Sequence, residues 1–164
     1  MKRDDQMTGI VIERATLNDA EDILRVQKEA FKPEGILYQN QALPALTESP
    51  DDFEQILKHT TILAAKNDQG HIIGAIRGRV EKNICYVGRL VVHPAFQRQG
   101  TGSELLTALE TYFTGVSSYE LFTGSRSLEN IAFYRCHGYH EYCHEVVNEH
   151  LTLVYMLKTA EKSE

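Results

Sequence analysis

No apolar run of about 18 residues occurs in the sequence, so no segment reads as a helical membrane span. The N-terminus, MKRDDQMTG, is charged with no apolar core behind it, which does not fit a secretion signal. Cysteine is scarce: Cys85, Cys136 and Cys143 are the 3 in 164 residues. An odd count suits reduced thiols in the cytoplasm better than a disulfide framework. Positive charge is short too, with 17 Lys and Arg against 23 Asp and Glu and a formal net charge of -6. That balance argues against a general nucleic-acid surface, which relies on concentrated Lys and Arg. Arg77, Arg79, Arg89 and Arg98 still fall close enough in sequence to make one local positive spot. There is no G-x-x-x-x-G-K-[ST], and no G-x-G-x-x-G after the first strand with an acidic partner beyond it. A P-loop and a dinucleotide-binding fold are therefore not expected. Internal repeats, low-complexity segments and dividing linkers are absent.

What remains is ordinary for a globular chain: 42% hydrophobic and 24% charged residues. One domain of this length buries about 70% of its extended surface. We read residues 1–9 as a polar lead, 10–158 as the domain and 159–164 as a polar tail. GIVIERA alternates as a strand with Ile10 and Ile12 on one face. Asn18 or Thr16 caps a helix beginning DAEDILRVQKEAF, which Lys32-Pro33-Glu34-Gly35 should end. Residues 36–48 show little period. Ser49-Pro50-Asp51-Asp52 then reads as a helix start, with a hydroxyl cap and carboxylates near the positive end. TTILAAK and HIIGAIRGRV form strands around the turn Asn67 to Gly70, and a turn at Glu81 to Asn83 leads into ICYVGRLVV. Leu105, Leu106, Leu109 and Tyr112 or Phe113 make a helical stripe. SYELFT is a strand, NIAFYRCHG a short helix, and YHEYCHEVV with LTLVYMLK a closing antiparallel pair. This order predicts an α/β domain with a mixed sheet.

The informative stretch is Gln97-Arg98-Gln99-Gly100-Thr101-Gly102, between the apolar strand and the Leu stripe. The first-turn amides of a helix have no intrahelical acceptor and point outward together. Small residues let a phosphate approach them, and the helix dipole favours its charge. Thr101 and Ser103 can add hydroxyls and Arg98 a positive charge, a set suited to a pyrophosphate. Taken alone, G-x-G at a helix start is equally a tight turn.

Two blocks together go further. VGRLVVHPAFQRQGTGSELL carries Gln97, Gly100 and Gly102 as Q/R-x-x-G-x-G/A, after Leu90, Val92 and Pro94 as L-x-V-x-P. NIAFYRCHGY carries Asn130, Ala132, Phe133, Tyr134, Gly138 and Tyr139, which match N-x-x-A-x-x-F-Y-x-x-x-G-[FY] with one letter of slippage. The chain thus resembles the GCN5-related N-acetyltransferase (GNAT) superfamily over roughly residues 10–158.

The resemblance implies a single-domain fold whose mixed, mostly antiparallel sheet has two splayed central parallel strands, flanked by helices. It implies acetyl-CoA as co-substrate and acetyl transfer to a primary amine of a small molecule or peptide, through a tetrahedral intermediate. Carried over by residue, Leu90, Val91 and Val92 run beside the pantetheine arm and hold the thioester carbonyl. The amides of Arg98, Gln99, Gly100, Thr101, Gly102 and Ser103, with Gln97 of the signature, hold the pyrophosphate. Asn130 and Phe133 border the arm, and Tyr134 stands near the sulfur as general acid, or else packs under the cofactor. Many relatives pair through late strands or helices, which leaves room for a homodimer.

One departure matters. Several members of the superfamily keep a base carboxylate midway along the strand before the loop. The matching place here is Tyr86, and Ile84 to Val92 contains no Asp or Glu. Glu81, Glu141 and His93 are substitutes to consider, and the missing base leaves a non-catalytic acyl-CoA sensor or partner-binding domain as the alternative. Arg89 interrupts the apolar strand and must reach solvent or pair with an anion, from an acidic substrate or a structural carboxylate. The 36–60 segment is expected to help form the acceptor side. Cys136, His137, His140, Cys143 and His144 lack the C-x-x-C or H-E-x-x-H spacing, and no metal is expected. On a regular strand His140 and His144 would share a face, opposite Cys143.

Overall fold

The strands form where alternation and turn chemistry agree. β1 (Val11–Arg14) pairs with β2 (Thr61–Lys66), which turns back into β3 (Ile72–Glu81). In that turn Asn67 Oδ1 accepts from the amides of Gln69 (3.1 Å) and His71 (2.9 Å). Lys82 and Asn83, both at positive φ, make the tight hairpin into β4 (Ile84–Val92). β5 (Ser118–Gly124), β6 (His140–Asn148) and β7 (Leu151–Thr159) complete one sheet in the order β1-β2-β3-β4-β5-β7-β6. All neighbours are antiparallel except β4 and β5. The fold is mixed α/β. The computed structural model describes residues 9–161. Positions 1–8 of the expected lead and 162–164 of the expected tail lie outside the described residues.

Five helices flank the sheet: α1 (Ala20–Leu37), α2 (Pro44–Thr47), α3 (Pro50–Leu57), α4 (Thr101–Tyr112) and α5 (Leu128–Cys136). Ile23 and Val26 of α1 and Phe53 of α3 pack on Ile62, Ala64, Ala75 and Val91 on one face. Leu105, Leu106 and Leu109 of α4 and Ile131 of α5 pack on Ile76, Cys85, Tyr119 and Met156 on the other. Each fully buried leucine contributes about 1.5–3 kcal/mol. Among the described residues no helix is long and apolar enough to cross a membrane.

Four local expectations are corrected. α1 does not stop at Lys32 but runs through Pro33 to Leu37. Pro33 is exposed, so water can satisfy the carbonyl its ring leaves unbonded. The last turn is held by tertiary contacts instead, with buried Gly35 against Leu46 and buried Tyr38 beyond the end. The aperiodic stretch contains α2, opened by Pro44. α5 begins at Leu128 rather than Asn130, with Ile131 N donating to Ser127 O at 3.1 Å. Finally, β6 carries a bulge between Glu141 and Cys143, so His140 pairs with Leu157, Cys143 with Tyr155 and His144 with Val154. Paired residues share a face, which puts His140 with Cys143 and His144 opposite. The Ser49 start is as expected: Ser49 Oγ accepts from Asp52 N at 3.1 Å, and Asp52 Oδ2 accepts from Ser49 N at 3.0 Å.

Candidate active site

β4 and β5 run in parallel register for three residue pairs only, Ile84 with Ser118, Cys85 with Tyr119 and Tyr86 with Glu120. Beyond Tyr86 they part. β4 bulges against β3 between Gly88 and Val91, with Arg89 at φ 48°, so Arg89 and Leu90 drop out of the ladder. Backbone groups freed this way face an opening rather than a neighbouring strand.

A cleft of about 450 Å³ occupies that opening. Its floor is Leu90, Val91 and Val92, and one end is the loop into α4. Gly100 caps this helix at φ 87°, a left-handed conformation that a side chain would strain. Glu104 N closes the first turn on Gly100 O at 3.0 Å, and among the described residues no acceptor meets the amides of Thr101, Gly102 or Ser103. Gln97 Nε2 donates to Val92 O at 2.9 Å and ties the loop to the strand end. A Cβ on Gly102 would stand 3.6 Å from Phe133, so bare backbone here keeps the cradle open.

The far wall is α5 with part of α1: Asn130, Phe133 and Tyr134 face Ala30, Phe31 and Glu34. Every residue read from the sequence as cofactor-binding lines this cleft except Gln99. Their side chains are engaged differently from the expectation, however. Thr101 is buried, and its Oγ1 has no hydrogen-bond partner. Ser103 Oγ lies 3.0 Å from His137 Nε2, while His137 Nδ1 donates to Phe133 O at 2.8 Å, which locks α4 to α5. Arg98 meets Glu129 at 3.1 Å across the mouth, both exposed. Asn130 Nδ2 donates to Thr123 Oγ1 at 3.3 Å. Tyr134 is half-buried, packed edge-on against Phe133 at 5.3 Å and Tyr139 at 5.9 Å. Burial pushes its phenol above the ordinary range, so it keeps its proton.

Three features were not read from the sequence. Glu34 Oε2 accepts from Ser127 Oγ, which lies 2.7 Å from Tyr38 Oη. Ending α1 at Lys32 hid this, because Glu34 and Tyr38 then fall in a loop. Glu48, inside the aperiodic stretch, is buried between Arg77 and Arg89. Burial pushes its carboxyl up, but hydrogen bonds and charge from Arg77, then Arg89, outweigh that and hold it below the usual range. Arg89 thus pairs with a structural carboxylate that it shares with Arg77, while Arg79 meets Glu81 and Arg98 meets Glu129.

The third feature is a second cleft of about 410 Å³, bounded by Arg77 and Arg79 of β3, Tyr86, Val87 and Gly88 of β4, Glu120 and Phe122 of β5, Tyr155 of β7, Ile56 of α3 and Thr60 beyond it. The first cleft takes Leu90 to Val92 and the second Tyr86 to Gly88, so the two flank the bulge at Arg89. The three substitute bases are engaged elsewhere. Glu81 pairs with Arg79, Glu141 with Arg135, and His93 Nδ1 accepts from Ala95 N at 3.1 Å in the turn after β4.

The sequence profile of the Acetyltransferase (GNAT) family matches residues 21–139. No curated protein sequence matches the chain. Solved structures do share its fold. The PaiA N-acetyltransferase of Thermoplasma acidophilum in complex with coenzyme A superposes at TM-score 0.75 and 18% identity, over 92% of this chain and 99% of that one. YncA, a putative acetyltransferase of Salmonella typhimurium with its cofactor acetyl-CoA, gives TM-score 0.72 at 18% identity, over 94% and 96%. A ribosomal-protein-alanine N-acetyltransferase of Brucella melitensis gives 0.74 at 18% identity, over 92% and 99%.

Proposed function

Because the chain belongs to the acetyltransferase (GNAT) family, we propose that it transfers an acetyl group from acetyl-CoA to a primary amine of a small molecule or peptide. The observation that carries this reading is one cleft joining the acceptor-free amides of Thr101 to Ser103 to the split between β4 and β5, with Tyr134 on its wall. The residues fit the co-substrate. Amides from Arg98 to Ser103 take the pyrophosphate, which the dipole of α4 favours. Thr101 Oγ1, buried without a partner, has a donor to spare. Arg98 exchanges Glu129 for phosphate at little cost, because exposed ion pairs contribute about 0–1 kcal/mol.

The backbone of Leu90 to Val92 runs beside the pantetheine arm, and Asn130 and Phe133 border its other side. Acetyl-CoA supplies an activated acyl carbon and a thiolate leaving group. Backbone N–H groups beside the bulge stabilise negative charge developing on the carbonyl oxygen. Tyr134 hands its proton to the departing sulfur. The amine reaches the split through the second cleft, whose Ile56 and Thr60 come from the 36–60 segment. Free Cys85, Cys136 and Cys143 fit a reducing compartment, the cytoplasm.

Calorimetric titration with acetyl-CoA, joined to a thiol-release assay over a panel of primary amines, tests the reading. Binding followed by amine-dependent thiol release supports it. Binding without release for any amine supports a non-catalytic acyl-CoA sensor, and no binding overturns both.

A further inference from the structure

We propose that Glu120 is the base that deprotonates the acceptor amine, an assignment that rests on the acetyl-transfer reading. β4 has no carboxylate, and Tyr86 stands where one is expected. Glu120 of β5 is the register partner of Tyr86, and theirs is the last pair before the strands part. Partners in a parallel ladder present their side chains on the same face. The carboxylate missing from one lip of the split is therefore supplied by the other lip. The neighbours Tyr119 and Leu121 are buried in the core under α4 and α5. Alternation turns Glu120 the other way, into the second cleft with Tyr86, Phe122 and Tyr155.

Tyr142 of β6 donates its hydroxyl to Glu120 Oε1. The bulge beside it turns Tyr142 towards β7 and β5, with its ring centroid 6.4 Å from that of Tyr155. Among the described residues no donor occupies Glu120 Oε2, and no cation neutralises the carboxylate. Arg77 is committed to Glu48, and Arg79 lies over the Tyr86 ring at 4.6 Å while meeting Glu81. The rings of Phe122 and Tyr155 suit an alkylammonium by cation–π attraction, and the half-buried carboxylate is the one negative group in a lining that also holds Arg77 and Arg79, whose charges Glu48 and Glu81 take up.

The step balances. Glu120, directly or through one water, takes a proton from the bound ammonium. The neutral nitrogen forms the C–N bond to the acyl carbon, and the C–S bond breaks with its electron pair on sulfur. Sulfur takes the Tyr134 proton, the phenolate recovers one from the new amide nitrogen, and Glu120 releases its proton to water.

The experiment compares Glu120→Gln and Glu120→Asp with the wild type on two acceptors. One is a basic primary amine from the panel that the wild type acetylates; the other is its analogue fluorinated beside the nitrogen, unprotonated at neutral pH. We expect Glu120→Gln to lower kcat/KM for the basic amine on the order of 100-fold, as loss of a general base does. It should affect the neutral analogue far less, with acetyl-CoA affinity unchanged by calorimetry, and Glu120→Asp should retain more activity. Equal losses on both amines, or none, overturn the assignment while leaving acetyl transfer standing. A wild type that acetylates no amine overturns the transfer reading and this assignment together. Should Glu120→Gln lose acetyl-CoA binding through misfolding, the same two-amine comparison on Glu120→Asp decides.

Discussion

Arg89 reaches Glu48 at 2.5 Å, and through this ion pair a buried carboxylate outside the sheet holds the bulge that opens the split. Arg89 sits at φ 48°, a conformation that costs a non-glycine residue free energy. Glu48 also accepts from Arg77 Nη1 at 3.0 Å, and Arg77 Nη2 reaches Gln27 Oε1 at 3.4 Å. One carboxylate therefore ties the segment before α3 to β3, β4 and α1.

Glu48→Gln leaves two arginines facing a neutral amide, and removing one partner of a buried pair costs roughly 3–5 kcal/mol. We expect a clear fall in urea midpoint. The pH dependence has a definite sign. The folded carboxyl titrates below its ordinary 4.5, so its stabilisation is fully present above that value and lost as pH falls through the folded pKa. Urea melts across the acid range should show a steeper loss in the wild type than in the variant; parallel curves contradict the pairing.

Gly102→Asp tests the cradle. Its Cβ meets nothing closer than 3.6 Å, so the fold should tolerate it. The new carboxylate faces the amides assigned to phosphate, and like-charge juxtaposition costs several kcal/mol. Acetyl-CoA affinity should fall roughly 100-fold or more. Unchanged affinity by calorimetry removes the loop from the binding site.

Tyr134→Phe should leave acetyl-CoA affinity constant and lower kcat by about 100-fold or more, the range for a lost general acid. Because burial raises the phenol's pKa, its ionisation should not limit the wild-type rate near neutral pH. Equal kcat in the two proteins assigns sulfur protonation to water.

Gly124→Ala tests how α1 docks on the β5–α5 turn. A Cβ there would lie 2.0 Å from Tyr38 Oη, and that hydroxyl also accepts from Arg126 N at 3.1 Å. Such overpacking costs about 1–3 kcal/mol. Denaturant melts should show the loss, together with weaker acetyl-CoA binding, because α1 forms one wall of the cleft. A wild-type midpoint means the turn yields freely.

Local chemistry settled much of this protein from the sequence alone. The Asn67 turn, the Ser49 cap, the Leu105–Leu106–Leu109 stripe and the Gly100–Gly102 loop rest on neighbours within a few residues, and each appears where those neighbours place it. What distance along the chain joins was decided only by folding. Pro33 signals an end that Tyr38, anchored some 89 residues away at Ser127, overrides. Arg89 and Glu48, and likewise Tyr86 and Glu120, meet across separate elements. A period of two or 3.6 residues records which face a side chain takes, but not the partner that the sheet's register brings beside it.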